Sequence, residues 1–346
     1  MRWVLIWAML CLPAAAEAFD LDQLRSDCRD EAGEHRPDLQ AAYCIVLAEK
    51  TMDRAEAARV TIEAARETAN AGMPVAAAAL LEDLLADQPG LAEGWKMRGL
   101  VAMAVRDMEN GIRAFSRWIE IEPGNPEGYA HRAAIHLVQE DFEAALEDFS
   151  NALAIDPRNE KALAGRAALY HDLEEYGKAL SDYNYLIDLY PNNARYYLLR
   201  GHSNQGAEKF RAAFNDYQKS IDLDEDNPEA LASLGTMVLA IDRHDRELNE
   251  LAKELLRDST RLDPDDGTAQ LHLGRAEARL GNVDAAMNAF RRAADIEPLM
   301  LLMYKGSLHG RGFGPGDVDE CPDERIWPAM RECIAKGCGF MESLEE

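Results

Sequence analysis

"EDFSNALAIDP" at residues 147–157 is followed 34 residues later by "SDYNYLIDLYP" from Ser181 and, after the same interval, by "NDYQKSIDLDE" from Asn215. Each copy reads as the end of an amphipathic helix, with apolar residues at three- and four-residue steps, and in the first two a proline then forbids continuation. Outward from these stops, prolines recur at Pro89, Pro123, Pro157 and Pro191, each 34 residues apart, and again at Pro264 and Pro298. Between Pro191 and Pro264 lie 73 residues, two units of 34 plus five, with Glu225 where the missing proline belongs. Alanine keeps the same period at Ala145, Ala179, Ala213, Ala252 and Ala286, and an aromatic keeps it at Phe115, Phe149, Tyr183, Tyr217 and Phe290. A shared period for three residue classes marks a structural unit.

One unit, "PEGYAHRAAIHLVQEDFEAALEDFSNALAIDP" from Pro126, predicts a first helix over 127–139 and a second over 142–155. Small Ala145 and Ala152 permit close approach of the helices, while Tyr129 and Phe149 fill the space between neighbours. No single pair covers its own apolar face, so stacked pairs must share a core. The expected fold is all-α, an elongated solenoid.

The unit has an aromatic at its fourth place, Gly or Ala at the eighth and twentieth, an aromatic at the twenty-fourth and Pro at the thirty-second. With "GWKMRG" at 94–99, "ALEDFSNALAIDP" at 145–157 and "LHLGRAEARLGNVDAAMNAFRRAADIEP" at 271–298, it resembles the tetratricopeptide repeat. That resemblance implies a right-handed superhelix of seven helix-turn-helix units over 58–300: 58–91, 92–125, 126–159, 160–193, 194–227, 228–266 and 267–300. The sixth holds the five extra residues around "DRHDREL", 242–248, which lengthen one helix or its turn.

The resemblance also implies a ligand in a concave groove lined by the second, fifth, ninth and twelfth places. Those places hold Glu93, Lys96, Leu100 and Met103, then Glu127, Ala130, Ala134 and Leu137. Lys161, Ala164, Ala168 and His171 follow, then Arg195, Leu198, His202 and Gln205. The family's clamp for a terminal carboxylate needs Lys at the fifth place with Asn at the ninth; Lys96 is followed by Leu100, so that clamp is missing. Small alanines with mixed polar ends suit an extended or helical peptide segment.

Arg98, Arg132, Arg166 and Arg200 occupy the seventh place, and Asp148, Asp182 and Asp216 the twenty-third. Structural ion pairs between the two helices are the expectation for Arg132, Arg166 and Arg200, which come with a carboxylate, whereas Arg98 does not. A row of arginines gripping an acidic ligand is the alternative.

Composition narrows the function classes. Lys plus Arg number 37 against 63 Asp plus Glu, a formal charge of −26, which repels nucleic acid and anionic lipid. The acidity keeps an exposed helical surface soluble, or selects basic partners. No GxSxG, HExxH, phosphate-cradling glycine loop or nucleophile–histidine arrangement is present, so an enzyme is not expected, nor any cofactor or metal. Asp222, Asp224 and Asp226 mimic the start of a calcium loop, but Asn227-Pro228 stands where its glycine belongs, and the segment reads as a turn.

At the N-terminus, Arg2, the apolar run 3–12 and "AEA" at 16–18 read as a cleavable signal peptide, 1–18, too short in its apolar part to span a bilayer. Export to the periplasm or outside the cell follows, and an oxidising compartment with it. Cys28 and Cys44 flank a turn at Gly33 and Pro37 in a helical hairpin, 19–57, and are expected to form a disulfide. Cys333 and Cys338 flank Gly337, a helix C-cap, and make the second expected pair. Cys321 is then a free thiol or the true partner of one of those two.

The tail, 301–346, is expected to cap the apolar end of the stack. Within it, "YKGSLHGRGFGPG" from Tyr304 resembles the turn of a small peptidoglycan-binding module, with Tyr304, Gly306, Gly310, Phe313, Gly314 and Pro315 matching and His309 in place of its Asp. That likeness implies Tyr304, His309 and Phe313 as glycan-contacting residues. The leading expectation is a non-catalytic periplasmic scaffold that binds a protein or peptide; the alternative is a cell-wall-associated protein anchored by its tail to peptidoglycan.

Overall fold

The computed structural model describes residues 28, 44, 45, 47, 53–313 and 323–341. The signal segment, most of the N-terminal hairpin, Cys321, Gly314 and Pro315 lie outside the described residues. Sixteen helices and no strand are found among the described residues. They are α1 (Arg54–Asn70), α2 (Pro74–Asp87), α3 (Ala92–Ala104), α4 (Met108–Ile121), α5 (Pro126–Val138), α6 (Phe142–Ile155), α7 (Glu160–Asp172) and α8 (Tyr176–Leu189). Then come α9 (Ala194–Gly206), α10 (Phe210–Leu223), α11 (Pro228–Ile241), α12 (Arg246–Leu262), α13 (Gly267–Arg279), α14 (Val283–Ile296), α15 (Met300–Gly310) and α16 (Asp323–Ala335). Two compact units divide the chain, residues 1–169 and 170–346, and α7 contributes to both.

Within each unit, helices pack as antiparallel pairs, and each pair packs on the next. Local chemistry sets the element ends. The α5 helix starts at Pro126, where a missing N–H costs nothing, and Asn125 caps it by accepting from the Glu127 amide at 3.1 Å. Asp141 caps α6 in the same way, accepting from the Ala144 amide, and the chain leaves that helix at extended Asp156, just before Pro157. Asn193, Asn227 and Asp266 repeat the first cap at α9, α11 and α13.

The fifteenth place of the unit lies between the two helices and is left-handed in every unit but the sixth, where Asp242 is extended at φ −151°. Arg106, Glu140, Glu174 and Glu208 adopt φ of 59°, 60°, 59° and 58°, while Gly72 and Gly281 serve the same place elsewhere. Three of the five extra residues of the sixth unit lengthen its second helix, since α12 has 17 residues where α10 and α14 have 14; the others add one residue to α11, which has 14 where α9 has 13, and one to the turn between the two helices.

Helix contact within a pair rests on glycine against an aromatic. A Cβ added to Gly99 would lie 2.4 Å from the Phe115 ring, and one on Gly201 would lie 2.6 Å from Tyr217. Phe115 and Tyr217 are fully buried, each contributing on the order of 2 kcal/mol of burial that a wider helix spacing would forfeit. The fourth-place aromatic joins one unit to the last: the Trp95 indole donates to the Pro89 carbonyl (2.9 Å) and the Tyr197 hydroxyl to the Pro191 carbonyl (3.0 Å).

Both expected disulfides are present, Cys28–Cys44 and Cys333–Cys338. The first is buried with Ile62, Ala65 and Leu81 in the cluster that closes the N-terminal unit. The second ends α16, with Gly337 left-handed beside it at φ 66°. Helices α15 and α16 pack on α14, covering Phe290 and Met287 with Tyr304, Ile326, Met330 and Phe340. No described helix is long and apolar enough to cross a membrane.

Candidate functional site

The first helices of the pairs carry the wall that the repeat resemblance assigns to a ligand. In the N-terminal unit this is one face of α3, one of α5 and the start of α7. Ala134, Ala164 and Ala168 stand half-buried along it, with fully buried Ala133, Ile135 and Ala167 behind them. Leu137 is half-buried too, whereas Ala130 is 4% exposed and belongs to the core. Leu100 and Met103 pack against Phe115, Trp118 and Ile135, so they serve wall and core together.

Charge at the edge of this wall is already paired. The Lys161 ammonium donates to the Glu127 carboxylate at 2.6 Å, Asn159 donates to it at 3.0 Å, and Lys96 sits 3.3 Å from Glu93. Burial works to raise the Glu127 pKa, but the hydrogen bonds from Lys161 and Asn159 outweigh it and hold the group below its ordinary range. His131 stacks on Phe115 with ring centroids 5.3 Å apart, and burial and then the Lys161 charge lower its pKa. It is therefore neutral near pH 7, and the wall is apolar in the middle with a self-neutralised edge.

In the C-terminal unit the corresponding residues build a polar row. Nε2 of His202 lies 3.1 Å from the Ser233 hydroxyl, and its ring meets Tyr217 edge-on at 5.5 Å. The Tyr217 hydroxyl donates to Gln205 at 2.6 Å, and Nδ1 of His171 lies 3.1 Å from the Ser203 hydroxyl. Burial lowers the His202 pKa and raises that of Tyr217, so both stay uncharged near neutrality. Arg195 is exposed, while Leu198 is only 2% exposed and lies in the core. Ser203 and Ser233, which orient these histidines, were not read from the sequence. Their signal is a hydroxyl 32 residues after His171 and 31 after His202, close to one repeat along the chain.

The seventh-place arginines lie between helices. The Arg132 fork donates to Asp148 through Nε and Nη2 at 2.8 and 2.7 Å, and its Nη1 donates to Ser116 at 2.9 Å. Arg200 repeats the arrangement on Asp216 at 3.0 and 2.5 Å, with Nη1 on Asn184 at 2.8 Å. Arg166 reaches Ser150 at 3.5 Å, and Asp182 is buried on α8. Each arginine has a further partner that its repeat place does not reveal, a polar side chain sixteen residues earlier on the second helix of the preceding pair. Glu82, Ser116, Ser150 and Asn184 at that interval were its signal.

In the tail, Tyr304 is a helical residue of α15 with no exposure, and its hydroxyl donates to the Phe290 carbonyl at 3.0 Å. Phe313 is half-buried beneath the Lys336 ammonium, which lies 5.4 Å from its centroid, and His309 is exposed. Of the three glycan candidates, only His309 is fully presented to solvent.

Comparison with known proteins agrees with this architecture. Sequence profiles described as tetratricopeptide repeat match residues 126–159 and 248–299. No curated protein matches the chain in sequence. Among solved structures, a tetratricopeptide repeat protein from Parabacteroides merdae is similar over 73% of this chain and 97% of its own, with 15% identity and a TM-score of 0.54. The PilF protein of Pseudomonas aeruginosa is similar over 60% of this chain and 92% of its own, with 17% identity and a TM-score of 0.53. Residues 126–159 and 248–299 match the tetratricopeptide repeat in sequence, and over most of its length the chain has the fold of a tetratricopeptide-repeat solenoid.

Proposed function

We propose that this chain is an exported, non-catalytic scaffold that holds a protein or peptide segment against the wall of its first helices. The observation that carries the reading is the half-buried stripe of Ala134, Leu137, Ala164 and Ala168. It is apolar, recurs on the repeat register, and is edged by charges that already neutralise one another, so a partner gains by covering it without stripping water from an unpaired ion. Small side chains along its middle let a bound backbone approach closely. Two disulfides support a periplasmic or extracellular setting, because such bonds persist in oxidising compartments.

A photoreactive residue placed at Ala134 or Ala168 tests the reading, with Glu147 on α6 as the control position. Partners captured from the first two positions and not the third are then purified and titrated against wild type and Ala134→Glu. The expected result is a loss of about tenfold or more in affinity, from a carboxylate forced into an apolar contact, with an unchanged far-ultraviolet circular dichroism spectrum. Equal binding by the variant would sink the wall as the site.

A further inference from the structure

Arg98 differs from its sister arginines. At the place where Asp148 and Asp216 supply carboxylates to Arg132 and Arg200, the second helix of this pair has Ala114. The Arg98 side chain is nevertheless nine-tenths buried, with 10% exposure, and the hydrogen bond it makes among the described residues is a single one, Nη2 to Glu82 at 2.8 Å. Glu82 is 65% exposed and occupies the place taken by Ser116 and Asn184 in the sister sites, so it replaces the third partner and not the missing carboxylate. Asp107, which feels the Arg98 charge, is committed to Asn110, accepting from its side chain at 2.6 Å and its amide at 3.3 Å.

The space left by the missing carboxylate is open. A cleft of about 320 Å³ lies between α2 and α4 over α3, lined by Arg98 and Ala114 with Glu82, Leu85, Trp95 and Arg113. The matching cleft of the C-terminal unit is about 640 Å³, and there Asp216 already fills the Arg200 fork.

We propose that the cleft in front of Arg98 is a carboxylate-binding site, in which a ligand carboxylate takes the position that Asp148 and Asp216 hold in the sister repeats. A guanidinium presents its N–H groups in a planar fork that fits a carboxylate bidentately, and the sister sites realise that geometry at 2.5–3.0 Å. Arg113, which pairs with Glu109 at 3.1 Å, also lines the cleft, while Leu85 and Trp95 offer an apolar surface to the stem that bears the carboxylate. The site opens between the second helices α2 and α4, and its residues on α3, Trp95 and Arg98, are not those of the wall, Lys96, Leu100 and Met103, so it stands or falls independently of that reading. Its ligand is an Asp, Glu or terminal carboxylate of a partner chain, or a small organic acid.

The test titrates the purified protein with acetate and with the blocked peptide acetyl-Ala-Asp-Ala-amide, against chloride at equal ionic strength, reading thermal shift and calorimetric affinity. Wild type is expected to gain a few degrees in Tm at saturating carboxylate. Ala114→Asp, which supplies the carboxylate internally, is expected to melt higher without ligand and to show no carboxylate-dependent shift. Arg98→Lys, which keeps the charge and loses the fork, is expected to bind about tenfold more weakly. A response to acetate alone assigns the site to small acids, and a response confined to the peptide assigns it to a partner's side chain. The proposal is overturned if wild type shows no carboxylate-dependent shift, or if the shift survives in Ala114→Asp. Should that variant fail to fold, unchanged binding by Arg98→Lys overturns it equally.

Discussion

At the scale of single residues, the buried histidines tie stability to pH. Burial first, and then the nearby Arg275 charge, lower the His272 pKa from 6.5 to about 4. The unfolded chain therefore takes up a proton near 6.5 that the folded one refuses until about 4, and acid favours unfolding across that window. His131 and His202 are lowered too and add in the same direction. Denaturant titrations at pH 7 and pH 4.5 should show a loss of about 2–3 kcal/mol from His272, which His272→Gln removes. Place numbers in the repeat were enough to find the Arg132 and Arg200 pairs, because both partners recur in register. They were not enough for the wall, since Ala130 and Leu198 sit at groove places yet are buried. Register fixes an angle on the helix, whereas depth depends on how far the neighbouring pair rotates over it.

At the scale of helices, element ends were readable where proline or a cap residue marks them, and less so between the two helices of a pair. There the chain needs one left-handed residue, and four times it uses Arg or Glu at φ near 60° instead of glycine. Their side chains gave no conformational hint, because a non-glycine residue is an uncommon choice for that region. Each such residue costs backbone energy that glycine avoids, partly offset by the greater freedom glycine has when unfolded. Glu140→Gly and Glu208→Gly should each raise stability by about 0.5–1 kcal/mol in urea titration, and Gly281→Ala should lower it by a similar amount. The insertion follows the same logic: its length was countable, but the start of the lengthened α12 was set by Asp245, which caps that helix by accepting from Glu247 and Leu248.

At the scale of the whole molecule, the two ends carry the covalent reinforcement. The Cys28–Cys44 bond closes a loop spanning sixteen positions against the buried cluster of α1 and α2. Replacing both cysteines by serine should cost about 3 kcal/mol by equilibrium unfolding, mostly through the freedom returned to the unfolded chain. That pairing was legible because two cysteines straddle a turn, while the packing of α15 and α16 on α14 was not, because the tail departs from the repeat period. Among the described residues, helices pack chiefly with those one or two places along the chain, so contacts are local to neighbouring pairs. Optical probes inherit that locality. Among the described residues, the tryptophans are Trp95 and Trp118 near the start of the stack and Trp327 in the tail. Indole emission thus watches the two ends, and far-ultraviolet ellipticity watches every helix. Midpoints that disagree between the two signals would reveal a molecule that comes apart pair by pair.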